Sequence, residues 1–245
     1  MTELDLSHSP AIARVLDFET TGYPEDESSE IIEAGTIDVD LLAEGFPIVM
    51  ESCWTSLFKP SGFIPAATMA IHHIMDADVA DAPPSMTVFP HLLRGMTEAD
   101  VYAAHNAKFE QHFFNGRGRS YICTYKCALR AWPDAPNHTN QGLRYHLQLP
   151  CDRKLSDPPH RALPDAYVTA HILQALLRLR PLGRLVEISK EPAFLTNITF
   201  GKHRGKSFKE VAQSDRGYLS WIIDKSDMDE DVKFSAQWWL EKSNG

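Results

Sequence analysis

Asp17-Phe18-Glu19, at the end of the largely apolar run Ala11–Leu16, is the most constraining feature of the chain. On a strand, residues two apart point to the same face of the sheet. Two anions on one face, beside apolar neighbours, repel each other unless a cation or a proton lies between them. Such a strand calls for a metal, and the rest of the chain must then supply the remaining ligands.

The chain has 245 residues, enough for one large domain or one domain plus a small appendage. Its 43% hydrophobic and 23% charged content is ordinary for a globular protein. No run approaches the roughly eighteen apolar residues of a membrane helix. The start, Met1-Thr2-Glu3-Leu4-Asp5, is acidic and polar, unlike a signal peptide. Cys53, Cys123, Cys127 and Cys151 form no Cys-x-x-Cys pair, so reduced thiols in a cytoplasmic protein are expected. The net charge of −9 argues mildly against a polyanionic partner, but its distribution matters more. There is no Lys or Arg between Val15 and Phe58, whereas Lys202, Arg204, Lys206 and Lys209 crowd together later.

Residues 1–10 read as a disordered lead. Ala11–Phe18, Ile31–Val39 and Met50–Phe58 read as successive strands, an antiparallel meander. Pro65–Ile74 reads as a short helix and Ser85–Met96 as a longer one. The strand Val101–Ala104, the helix Ala107–Asn115, and the strand Tyr121–Thr124 with a helix to Trp132 follow. Gln141–Leu147 is a short helix, and Leu163–Leu179 is the clearest helix of all. Strands alternating with helices after a meander indicate an α/β fold with a mixed sheet, over residues 11–181. Pro181–Glu191 reads as a connector, with a linker placed at 182–192. The texture then changes to short elements rich in Lys, Trp and Gly, a small module over 193–245.

Positions 165, 169, 172, 176 and 179 share one face of the Leu163–Leu179 helix. Asp165 stands at the top of this stripe, above Thr169, Ile172, Leu176 and Leu179. A carboxylate there is costly without a partner, although in a first turn it also complements the helix dipole. His160 precedes the helix on a loop, where a histidine is commonly just solvated. His105-Asn106-Ala107-Lys108-Phe109-Glu110 follows a strand and opens a helix, and Glu110 alone also reads as a surface residue. Together, Asp17, Glu19, Glu110 and Asp165 are four carboxylates near strand ends or helix starts. Hard oxygen ligands of this kind suit Mg²⁺ or Mn²⁺. A pair of such ions clamps a phosphodiester, and a neighbouring histidine can take the proton of the attacking water.

With these residues the chain resembles the DEDD exonucleases, in the DnaQ-like branch with a catalytic histidine. Asp17-Phe18-Glu19-Thr20-Thr21-Gly22, His105 to Glu110, and His160-Arg161-Ala162-Leu163-Pro164-Asp165 match its three motifs in order and spacing. The resemblance implies a ribonuclease H-like fold, with a mixed five-stranded sheet flanked by helices. It implies metal-dependent 3′→5′ hydrolysis of DNA, releasing nucleoside 5′-monophosphates, with two Mg²⁺ ions for which Mn²⁺ substitutes. Asp17 would bridge the ions, Glu19 and Asp165 would complete the first, Glu110 would serve the second, and His160 would be the general base. The family's second motif usually ends in Asp. Glu110 keeps the charge but reaches further, which leaves a weakly active nucleic-acid-binding protein as one alternative. An RNA 3′ exonuclease is another, because the same core serves both polymers. Relatives occur as monomers and as dimers, so the oligomeric state stays open.

Pro65–Ile74 is similar to the family segment that meets the terminal nucleotide. Ile71 would be an apolar wedge against unpaired bases, with Met69 beside it and His72 touching the last nucleotide. Met69 and Ile71 also read as a buried helix face. Thr20, His105, Asn106 and Phe109 are the further nucleic-acid contacts that the resemblance implies. Thr199–Lys206 and Asp215–Trp221 resemble the small C-terminal module of exonuclease X proteins, a class that acts on DNA single strands and duplex ends. Lys202, Arg204 and Lys206 would then neutralise phosphates, although the cluster also reads as a solvated hairpin. Trp221, Trp238 and Trp239 either stack on bases or fill a core.

Overall fold

The computed structural model describes residues 9–225 and 227–242, and the lead expected over most of residues 1–10 lies outside them. Strands β1 (Ile12–Thr20), β2 (Ile31–Asp40) and β3 (Ile48–Leu57) form the antiparallel meander. Helices α1 (Ala66–His72) and α2 (Phe89–Leu93) lead to β4 (Val101–Ala104) and α3 (Lys108–Phe113). Then come β5 (Tyr121–Cys123), α4 (Thr124–Ala131), α5 (Asn140–His146), α6 (Arg153–Ser156), α7 (Ala162–Leu179) and α8 (Leu182–Lys190). Helices α9 (Phe208–Ser214), α10 (Arg216–Lys225) and α11 (Glu230–Lys242) end the described chain. The sheet order is β3-β2-β1-β4-β5, with β4 parallel to both β1 and β5. This is the mixed five-stranded sheet flanked by helices that the sequence implies.

Alternation along β1 feeds two cores. Ala13 and Val15 join Ile172, Leu173 and Leu176 of α7 and Leu185 and Ile188 of α8 in one core. Leu16 and Phe18 face the other way, toward Val88, Leu92, Tyr102 and Phe114. Asp17 and Glu19 follow Ala13 and Val15 onto the α7 side. On the opposite face, Arg14 and its cross-strand partner Asp38 form a buried two-pronged ion pair, both bonds 2.8 Å. The same guanidinium donates to the carbonyls of Leu92 and Arg94, which anchors the end of α2 to the sheet.

Two local expectations are corrected. The long helix expected over Ser85–Met96 is a 3₁₀ turn (Ser85–Val88) followed by the short α2. Pro90 sits in the first turn of α2, where a missing N–H is tolerated, and Gly95, at φ +75°, ends the segment. The connector expected at Pro181–Glu191 is the helix α8, whose buried Leu185 and Ile188 complete the main core. A four-residue helix, α6, had no counterpart in the sequence reading.

Residues beyond 193 carry a core of their own, built from Ile198, Phe208, Val211, Leu219, Ile222 and Ala236. The chain from Ile198 to Lys206 closes on itself through Ile198 N–H to the Lys206 carbonyl, 2.8 Å. Ser207 and Glu210 then start α9 with a reciprocal capping box. Trp239 packs on this core, while Trp221 stays 46% exposed and stacks on Tyr218 with ring centroids 5.8 Å apart. No helix among the described residues is long and apolar enough to cross a membrane.

Candidate active site

The site forms where the end of β1 meets the start of α7. Asp17 lies opposite Gly35 of β2, and Glu19 lies opposite Glu33. Glycine at 35 lets the backbone of Ala162 and Leu163 settle directly on the strand, because a Cβ there would overlap it. Glu33 fixes the same junction. Its carboxylate accepts two bonds from the Arg161 guanidinium, 2.8 and 2.6 Å, and one from the Ala162 N–H, 3.0 Å. A strand residue thus caps α7, whose own N-cap residue Arg161 offers no acceptor. Asp165 is thereby held one turn into the helix, facing β1.

Ligand atoms of Asp17, Glu19 and Asp165 all lie within 4.8 Å of one another. Asp165 Oδ2 accepts from the His160 backbone N–H at 2.7 Å, and the Gln141 side chain reaches Oδ1 at 3.4 Å. Glu110 approaches from α3. It is only 3% exposed, and its Oε2 has no hydrogen-bond partner. It stands outside the close trio yet shares its field. Burial, then Asp165, Glu19, Glu110 and Glu33, pushes the Asp17 carboxyl well above the usual range. Burial, then Asp165 and Glu33, lifts Glu19 to about 8, against the pull of Arg161. Burial lifts Glu110 to about 8 as well, with Glu19 adding to it. Asp165 is also raised by burial, and the His160 N–H opposes the rise. Four carboxylates that resist ionisation together, one with an unpaired buried oxygen, have the oxygen chemistry that suits a hard divalent cation.

His160 is exposed on the loop before α7, in the left-handed region at φ +60°. Its backbone is pinned by Asp165 while its ring remains accessible. Ile71 is 41% exposed on α1, and Met69 is half-buried against Ile32 and Ile64. His72 is buried rather than facing solvent, its Nδ1 accepting from the Ile74 N–H at 3.0 Å. His105 is also committed internally. Its nitrogens meet Thr124 Oγ1 at 2.9 Å and the His138 carbonyl at 2.8 Å, and burial holds its pKa near about 4. Asn106 is exposed at φ +68°, Phe109 is half-buried, and Thr20 is buried with its hydroxyl donating to the Gly22 carbonyl. In the terminal module Arg204 and Lys206 are exposed, whereas Lys202 pairs with Asp215 at 2.7 Å and lies over the Tyr218 ring.

Sequence reasoning missed Glu33, Arg161 and Gly35. An acid and a glycine inside the otherwise apolar run Ile31-Ile32-Glu33-Ala34-Gly35 were the available signals. Arg161→Ala is expected to destabilise the protein by about 1–3 kcal/mol, because it strands a buried carboxylate. At this chain length that is about 2–4 °C of Tm per kcal/mol, read by thermal denaturation in EDTA. Arg161→Lys keeps the charge but not the two-pronged geometry and should recover part of the loss. An unchanged Tm for Arg161→Ala would show that Glu33 does not depend on its partner.

The Exonuclease family (RNase T) matches residues 15–173, and the exodeoxyribonuclease X-like C-terminal family matches residues 198–227. Exodeoxyribonuclease 10 of Escherichia coli K12 is 32% identical over 240 residues, covering 94% of this chain and 99% of that protein. A solved structure of exonuclease X in complex with 5′-overhanging duplex DNA superposes with a TM-score of 0.60 at 32% identity. It covers 72% of this chain and 99% of the other. The nuclease domain of 3′hExo, a DEDDh family member bound to rAMP, shares the fold at a TM-score of 0.56 and 16% identity, over 69% of this chain and 92% of that one. The chain therefore belongs to the Exonuclease family, as a nuclease domain joined to an exodeoxyribonuclease X-like C-terminal segment.

Proposed function

We propose that the protein is a metal-dependent 3′→5′ exodeoxyribonuclease that releases nucleoside 5′-monophosphates. The observation that carries this reading is the convergence of Asp17, Glu19 and Asp165 within 4.8 Å, beside the unpaired Glu110 oxygen. Asp17, Glu19 and Asp165 would hold one divalent ion, and Asp17 with Glu110 a second, Mg²⁺ or Mn²⁺. Bound there, such ions supply charge stabilisation on both the attacking and the leaving oxygen of a phosphodiester. The His160 ring, exposed beside Asp165, accepts the proton of the attacking water. Ile71 packs against the terminal bases. The substrate class rests on the relatives, of which one is named an exodeoxyribonuclease and one is solved with duplex DNA.

Digestion of matched 5′-labelled DNA and RNA oligonucleotides tests the reading, with Asp17→Ala and EDTA controls. DNA should shorten stepwise from its 3′ end in Mg²⁺ or Mn²⁺ only, and circular single strands should survive. RNA shortened as fast as DNA would overturn the polymer assignment, and cut circles would overturn the exonuclease assignment. Glu110→Gln should lower turnover by about 10²-fold or more with the fold intact, since it removes one charge from the ion site. Unchanged turnover in that variant would take Glu110 out of the chemistry.

A further inference from the structure

Lys108, Arg119, Lys126 and Lys190 line one depression of about 570 Å³ at the β5 edge of the sheet, between α3, α4 and α8. No carboxylate lines it, in a chain whose net charge is −9. Lys108 and Lys190 are exposed and make no ion pair among the described residues. Lys126 donates to the backbone carbonyls of Glu191 and Ser189, and Arg119 to that of Thr97, which places both side chains without neutralising them. Lys108 and Gln111 also line a second depression of about 510 Å³, with Tyr23, Asn106, Phe109 and one acid, Glu25. Tyr23 is 66% exposed and lies just beyond the β1 acids. The two depressions meet along one side of α3. At about 100° per residue, Lys108 and Glu110 point to opposite sides of that helix. The cationic hollow thus lies across α3 from Glu110, about one helix width away. The second depression carries Tyr23, three residues beyond the end of β1, and Phe109, next to Glu110 in the chain.

We infer that this hollow holds the phosphodiester backbone of the single strand that feeds the acid site. The inference rests on the nuclease reading above and deepens it. An acid cluster repels a polyanion, so affinity for the strand has to come from cations set to one side of the chemistry. Tyr23 and Phe109 offer stacking faces along the way, and such stacking is indifferent to base identity. Lys108 and Lys190 then neutralise phosphates upstream of the cleaved bond.

The test is fluorescence anisotropy in EDTA, with labelled oligothymidylates of twelve and three nucleotides, on the full chain and on Lys108→Gln/Lys190→Gln. Two phosphate contacts on a single strand contribute about 1.4 to the slope of log affinity against log salt. The double variant should lose about that much slope, and about ten-fold or more in affinity at about 50 mM salt, on the twelve-mer only. The three-mer, confined to the acid-site end, should change less than two-fold. Lys154→Gln/Arg178→Gln removes the same net charge from exposed positions on α6 and α7 that line neither depression, and should leave the slope in place. An equal slope loss in that control, or an equal loss on the three-mer, would overturn the inference in favour of a general field effect. Competition by thymidine monophosphate that the Lys108→Gln/Lys190→Gln variant abolishes would also overturn it, by making the hollow a mononucleotide site. If the unaltered chain neither binds the twelve-mer in EDTA nor shortens it in Mg²⁺ or Mn²⁺, the nuclease reading itself falls. If it binds both but the variant matches it, only the hollow is wrong.

Discussion

Asp17→Asn should abolish strand hydrolysis, by about 10³-fold or more, and at the same time stabilise the metal-free protein. Asp17 is enclosed with Asp165, Glu19, Glu110 and Glu33, and every one of them raises its pKa. Asn is nearly isosteric but carries no charge, so it removes the repulsion without opening a cavity. Replacing a buried ionisable group by a neutral one of the same shape is often worth on the order of 1–2 kcal/mol, and about 2–4 °C of Tm per kcal/mol is expected at this length.

The pH dependence gives the effect a signature. Glu19 and Glu110 titrate near about 8 in the folded chain, against about 4.3 when unfolded. Between those values the folded state holds more protons than the unfolded one, so stability falls as pH rises through that window. Below about 4 the contribution is fully present, and above about 8 it is gone. A divalent cation binds the ionised form and should reverse the trend, so added Mg²⁺ or Mn²⁺ raises Tm more at pH 8 than at pH 5. Thermal scans in EDTA at both pH values check this. A flat Tm for the unaltered chain, or an Asp17→Asn variant less stable than its parent, would show that the acids do not strain the empty site.

What could be read from the chain and what could not divide along physical lines. Asp17 and Glu19 were legible as a pair because residues two apart on a strand share a face. Asp165 and His160 joined them only through the motif resemblance; the structure brings Asp17, Glu19 and Asp165 within 4.8 Å of one another. The sheet was legible because apolar alternation and the three-strand meander are local. The contact between Glu33 and Arg161 spans 128 positions, and no local pattern announces it. The helix α8 hid behind Pro181, which marks a break in the chain but equally begins a helix. Ser85–Met96 does not run as one helix because Pro90 lies in the first turn of α2 and Gly95, at φ +75°, ends the segment. His72 and His105 are nucleic-acid contacts only as the resemblance implies them, and no local pattern announces their packing. Tertiary packing commits the second to Thr124 and the His138 carbonyl and buries the first.

Gly35→Ala should be the most damaging single methyl group in the protein. A Cβ at that position would overlap the backbone of Ala162 and Leu163 and come within 2.6 Å of the Ala162 oxygen. Backbone cannot swing aside as a side chain does, so either β2 or the start of α7 must move. Such overpacking costs about 1–3 kcal/mol. The displaced segment also carries Asp165 and the His160 N–H that holds it. A shift of about 1 Å in a reacting geometry costs about 10²-fold in rate, and that is the loss expected here. Gly62→Ala is the matched control, since nothing lies within 4 Å of a Cβ there. Activity measured well below the Tm of both variants separates the two effects. A folded Gly35→Ala protein with a hundred-fold lower rate means that close strand–helix contact sets the position of Asp165. A folded variant with the parent's rate would mean that the junction absorbs the methyl group elsewhere and that Gly35 serves packing alone.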